Sequence, residues 1–159
     1  MIVQNHHSYE FKPFEMKVSR SALLPYSAHE MYDVVADVRS YPGFLPWCEN
    51  MEIISESTEE VVAKLLISYG KLDISLTTKN KMKKDQSIQM SLVDGPFSNL
   101  VGEWLIQRLD DNACKVSLEM DFMFDNPVAH KLFGRVFQNV ISAQLEAFQK
   151  RAQQLYGAS

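Results

Sequence analysis

The sequence predicts an α+β fold in which an antiparallel sheet of about seven strands is covered on one face by a long C-terminal helix. Three observations lead there. Strand-like runs follow one another from Met51 to Phe124, with turn compositions between them. Several of those runs alternate apolar and polar residues, so the sheet they form is buried on one side only. The chain then ends on a stretch with a helical apolar period, framed by a start and a stop signal.

Taken in order, residues 1–15 show no period and read as a flexible N-terminal extension, with Met16 as an alternative start; residues 16–157 read as the domain. Met16 to Leu24 alternates and suits a first strand. A helix follows whose start is specified twice. Ser27 and Glu30 form a Ser-x-x-Glu capping box, and Tyr26 is placed to pack on Met31 as a hydrophobic staple. Met31, Val34, Val35 and Val38 give it one apolar stripe. The meander reads as Glu52 to Ser57, Val61 to Tyr69, Leu72 to Lys83, Ser87 to Val93, Leu100 to Leu109 and Lys115 to Phe124. Leu72, Ile74, Leu76, Thr78 and Met82 share one face of their strand, as do Val116, Leu118, Met120, Phe122 and Phe124 of theirs. Asn126 as N-cap and Pro127 at N1 open the last helix, which runs to about Tyr156 before Gly157 stops it. Leu132, Phe133, Val136, Phe137, Val140, Leu145, Phe148 and Leu155 form its apolar face, and one rod of this length spans about 40 Å. Gly134 inside it costs about 1 kcal/mol relative to Ala, which points to a close approach or a gap.

Between the first helix and the meander, Tyr41-Pro42-Gly43-Phe44-Leu45-Pro46-Trp47 sets two prolines and a glycine among bulky apolar side chains, an arrangement expected on an irregular segment. Such a rim either plugs the end of an ordinary core or lines a concave, aromatic pocket.

Composition excludes several classes. With 46% hydrophobic and 23% charged residues the chain supports a real core, and its net charge of −4 gives no overall bias toward polyanions, so no DNA partner is expected. Cys48 and Cys114 are too few for a disulfide scaffold, which suits a reducing cytoplasm. No run resembles a signal-peptide core or a membrane span, so any membrane contact is expected to be peripheral, at the inner membrane. No catalytic motif occurs, and the inward parity of the strands offers only Arg20, Asn80, Asp94 and Arg108 as polar groups for acid–base chemistry. A non-enzymatic protein is expected. Histidines and cysteines are too scattered for a metal site, His29 and His130 read as exposed helix residues, and Cys48 reads as a small buried hydrophobe.

The phrases Pro25-Tyr26-Ser27-Ala28, Tyr41-Pro42-Gly43-Phe44-Leu45-Pro46-Trp47-Cys48, Val93-Asp94-Gly95-Pro96-Phe97 and Phe133-Gly134-Arg135-Val136-Phe137 stand in the order strand, helix, helical turn, six strands, long helix. From Met16 to Tyr156 the chain resembles the coenzyme Q-binding START-domain family, and within it the bacterial ribosome association toxin (RatA) branch. That resemblance implies a helix-grip fold, a curved sheet wrapped around the C-terminal helix with a hydrophobic cavity between them. It also implies an isoprenoid quinone such as ubiquinone as ligand and support of respiration, with no cofactor required. In the RatA branch it implies binding to the large ribosomal subunit and a block of subunit association. A cyclase or dehydratase is a further alternative, since helix-grip relatives include such enzymes.

On this basis the expected ligand site is an apolar tunnel formed by Tyr41, Phe44, Leu45, Trp47, Phe97, Trp104, Phe122, Phe124, Phe133, Val136 and Phe137. Tyr41, Trp47 and Trp104 would supply donors to quinone carbonyls. For a ribosomal partner the candidate is a basic edge. Lys79, Lys81 and Lys83 alternate on the polar side of one strand, with Lys71 and Lys84 at its ends, and lysines about 6.8 Å apart match a row of phosphates. A solvated face, or an edge protected against aggregation, explains the same lysines.

Overall fold

The computed structural model describes residues 15–157, so the expected extension lies outside the described residues except for Glu15. β1 (Met16–Leu24) leads into α1 (Ala28–Ala36), a 3-10 turn (Val38–Ser40) and the single-turn α2 (Tyr41–Phe44). Six strands follow: β2 (Cys48–Glu56), β3 (Glu60–Tyr69), β4 (Leu72–Lys83), β5 (Ser87–Asp94), β6 (Phe97–Asp110) and β7 (Ala113–Phe124). Two helices, α3 (Pro127–Ser142) and α4 (Gln144–Tyr156), complete the chain. All seven strands form one antiparallel sheet in the order β1-β7-β6-β5-β4-β3-β2. The meander expected from turn spacing is therefore correct, and β1 closes it by pairing with β7.

The α1 start follows its sequence signal in full. Ser27 Oγ accepts from the Glu30 amide at 3.0 Å, and Glu30 Oε1 accepts from the Ser27 amide at 3.0 Å. Tyr26 and Met31 are both buried in the main core, and the Tyr26 hydroxyl donates to the Gly157 carbonyl at 3.0 Å, tying the first helix to the end of the last. Asn126 caps α3 through its side-chain oxygen and the Ala129 amide at 2.7 Å.

Four expectations need correction. The rim segment is not irregular throughout, because Pro42 falls in the first turn of α2, where its missing N–H costs nothing. Phe97 opens β6, ahead of the expected strand start at Leu100. The C-terminal rod is interrupted at Ala143, where its packing partners change: α3 lies against β1, β7 and β4, whereas α4 packs mainly on α1. Finally, Leu132 and Leu155 are exposed while Ile141 and Ala152 are buried, so the apolar stripe is rotated from the one drawn on the larger side chains. Gly134 is buried because a Cβ there would approach Met16 Sδ to 3.1 Å, making close contact with β1 the reason for it.

The core occupies the concave side of the sheet, with Trp104, Phe122 and Phe148 among its largest fully buried side chains. We expect Phe148→Ala to lower the unfolding free energy by about 3–5 kcal/mol and Ser27→Ala by about 1 kcal/mol. Urea titrations followed by circular dichroism will measure both.

Candidate ligand cavity and basic face

The aromatic residues expected to form one tunnel gather in two groups. In the first, the Phe148 ring of α4 lies 5.4 Å from Tyr41, 5.8 Å from Phe44 and 5.2 Å from Trp104 between centroids. In the second, Phe97 stacks on Phe124 at 4.6 Å, and Phe137 sits 4.8 Å from Phe122 and 5.1 Å from Phe97. Edge-to-face contact dominates both groups, and the rings fill one another's space there. Leu45 is buried, Phe133 and Val136 are half-buried against the core, and Arg151 Cζ lies 5.1 Å over the Phe44 ring.

A cavity of about 60 Å³ remains between the two groups, under the α3–α4 junction and over β3, β4 and β5. Tyr41, Trp47, Trp104 and Phe137 reach it; Phe44, Leu45, Phe97, Phe122, Phe124, Phe133 and Val136 do not line it. Its remaining wall comes from positions the sequence reading left aside, among them Ala63, Leu65, Met90 and Ile141. Ala63 was legible as an inward position of β3, but its small size gave no sign that space would be left over it. Three lining side chains are polar: Thr78, Asn80 and Gln144. Thr78 Oγ1 donates to Asn80 Oδ1 at 3.0 Å. Among the described residues no charged side chain lines the cavity.

Of the four inward polar candidates, Asn80 alone points into the core; Arg20, Asp94 and Arg108 are exposed. The Tyr41 hydroxyl donates to the Val35 carbonyl, which occupies the donor expected to serve a ligand, and burial pushes its pKa well above the ordinary phenol range. Burial likewise raises the Cys48 and Cys114 thiols to about 11, so both sulfurs behave as small hydrophobes.

His29 is exposed, and its imidazole bridges two carboxylates. Nδ1 lies 2.8 Å from Asp85 Oδ1 and Nε2 lies 3.2 Å from Asp33 Oδ2, and the hydrogen bond to Asp85, with both carboxylate charges, raises its pKa above the usual 6.5. These three residues bring potential ligand atoms within 4.8 Å of one another, but the carboxylates sit at opposite ring nitrogens, the arrangement of a bridging imidazolium rather than a metal centre.

On the convex side, Lys79, Lys81 and Lys83 alternate with the inward-facing Thr78, Asn80 and Met82 of β4, of which Thr78 and Asn80 line the cavity. Lys84 continues the row into the next turn. Lys71 begins the strand from its far end, about 27 Å of extended chain from Lys79, and does not join the cluster. Lys64 of β3 belongs near the row instead, since Val62 pairs with Lys79 and Lys64 is the next outward residue. Glu60 pairs with Lys81 and partly offsets the charge at the middle of the row.

Residues 24–149 match the family model described as polyketide cyclase/dehydrase and lipid transport. The chain belongs to this family. The ribosome association toxin RatA of Escherichia coli (strain K12) is 40% identical over 142 residues, which are 89% of this chain and 90% of that protein. The mitochondrial coenzyme Q-binding protein COQ10 of Dictyostelium discoideum is 26% identical over 140 residues, 86% of this chain and 68% of that one. The crystal structure of the Zhui aromatase/cyclase from a Streptomyces species superposes with a TM-score of 0.79 at 20% identity, covering 88% of this chain and 94% of its own. The last likeness concerns the fold alone, a curved seven-stranded sheet gripping a long C-terminal helical segment.

The raised thiol pKa values carry a direct consequence. At pH 8 only roughly one thiol in a thousand is ionised, so a thiol-specific disulfide reagent should leave the native protein unmodified and titrate both cysteines after denaturation.

Proposed function

We propose that this chain is a RatA-type protein that binds a neutral hydrophobic molecule of the isoprenoid-quinone class without chemically converting it. The observation that carries the reading is the apolar cavity at the junction of sheet and helices, bordered by both tryptophans of the chain. Its resting volume is far below the roughly 300 Å³ at which small-molecule sites begin. Binding therefore requires the cover to lift, and the cover includes Val38 and Tyr41, at the start of two short helical turns, along with the α3–α4 junction. Burying about 300 Å² of apolar ligand surface would contribute about 7 kcal/mol toward that opening. The lipid-transport description of the family and the name of the COQ10 relative support a quinone-like guest. Among the described residues no carboxylate, histidine or lysine lines the cavity wall, which favours holding over turnover, a role that calls for no cofactor. Among the described residues no helix is long and apolar enough to cross a membrane, so loading from the cytoplasmic face of the inner membrane would be a peripheral event.

Titration of the purified protein with a short-chain ubiquinone tests this reading, because a quinone entering the cavity quenches Trp47 and Trp104. Saturable quenching, together with quinone in an organic extract of the protein, is the expected result; an empty extract and no quenching would remove the proposal.

A second reading rests on the opposite face. The RatA relatives are named for ribosome association, and the Lys79–Lys81–Lys83 row with Lys64 and Lys84 presents spaced cations suited to the phosphates of the large subunit. Co-sedimentation with isolated large subunits at low salt should be lost when Lys79, Lys81 and Lys83 are changed to Gln, and should fall steeply with added salt.

A further inference from the structure

The inner face of β4 carries an anomaly. Strand positions facing a core cavity are normally apolar, yet Thr78 and Asn80 are consecutive inward residues, both more than nine-tenths buried. A buried amide or hydroxyl lacking a partner costs about 1–3 kcal/mol, so each group calls for an account of its hydrogen bonds. Thr78 Oγ1 donates to Asn80 Oδ1 at 3.0 Å, which satisfies the carboxamide oxygen. Among the described residues the Asn80 side chain makes no other hydrogen bond, so its Nδ2 donors are what it offers to the cavity that it lines. Gln144, at the first position of α4, lines the same space. The strand neighbours are shaped for access: Ala63, opposite Thr78 on β3, is too small to cover the pair.

We infer that Asn80, oriented by Thr78, is the recognition point for the buried end of the ligand, and that this end is an uncharged hydrogen-bond acceptor, a ketone, quinone or ester carbonyl. This rests on the reading of the cavity as a hydrophobic-ligand site. The chemistry of the wall selects the class. An amide N–H donor meets a carbonyl oxygen well. A carboxylate or phosphate brought to the same place would lose its hydration without a cation to offset it, since among the described residues no lysine, arginine or histidine lines the cavity. A plain hydrocarbon would leave the Nδ2 donors unsatisfied. The site thus rejects fatty acids and phospholipid headgroups by desolvation and alkanes by an unmade hydrogen bond. Thr78 acts as a positioning residue, because its hydroxyl meets the far side of the amide.

The test uses three probes of one chain length: 2-tridecanone, tridecane and tridecanoate. Affinities are read on the full chain by competition against a short-chain ubiquinone that quenches the tryptophans, and by thermal shift where the quinone itself does not bind. The ketone should bind roughly tenfold more tightly than the hydrocarbon, the worth of about one hydrogen bond, and more tightly still than the carboxylate. Asn80→Leu should abolish the ketone preference while the protein stays folded. Thr78→Val should reduce that preference by roughly threefold, and it serves as the readout if Asn80→Leu does not fold. Equal affinity for the three probes, or a preference that survives in both variants, overturns the inference while leaving hydrophobic-ligand binding intact. Binding of none of the probes and no quinone quenching overturns both. A ketone preference without quinone binding upholds the carbonyl assignment and rejects the quinone.

Discussion

The position of Phe148 governs the rest of the structure. A sheet of seven antiparallel strands presents one apolar face, which the helices must cover. Phe148 solves half of that problem from α4, because its ring meets Trp104 on the sheet and Tyr41 and Phe44 on α2 at once. Phe137 solves the other half from α3 by closing on Phe97, Phe122 and Phe124. Two ring clusters a few turns apart hold the helices on the sheet. What lies between the clusters is held less tightly, and the cavity is there.

The size of that gap is set by small and polar residues rather than by the aromatics. Ala63 on β3 leaves unfilled space that a larger aliphatic side chain would occupy, and Thr78 and Asn80 on β4 place polar atoms where apolar ones would pack more favourably. Gly102, inward on β6, lets the methyl ends of Met90 and Met120 approach, since a Cβ there would lie 2.9 Å from one and 3.0 Å from the other. Thioether side chains adapt to irregular space, so this side of the wall can change shape around a guest more cheaply than a wall of branched aliphatics.

Much of this was legible in the sequence, and the failures have physical causes. β1 and β4 matched their expected bounds, because strict alternation and strong turn residues fix a strand at both ends, and the capping box did the same for the start of α1. The cavity was harder. Counting aromatics finds where rings meet, but rings that meet fill space, so Phe97, Phe122 and Phe124 became packing. The void is marked by a missing side chain at Ala63 and by the inward polar positions Thr78 and Asn80. Sequence parity did place Asn80 inside, but only tertiary structure distinguishes it from Arg20, exposed on the edge strand β1, and Arg108, exposed near the end of β6. The break at Ala143 has no Pro or Gly to announce it and follows from a change of packing partner.

β4 joins the two functional readings through its period of two. Thr78 and Asn80 face the cavity, while Lys79, Lys81 and Lys83 face outward from the same backbone, so a strand of twelve residues contributes to both sides of the sheet. A one-residue slip of this strand would put lysines in the core and threonine outside, which makes its register strongly specified. The pairing with β5 nevertheless shifts between Thr77 and Thr78, where Val93 is passed over and left exposed. That irregularity lies at the inward residue that orients Asn80. A guest that moves the Thr78–Asn80 pair acts on the same stretch of backbone that spaces the lysines, so any influence of ligand on the outer face has a short covalent route and needs no second conformation of the whole fold.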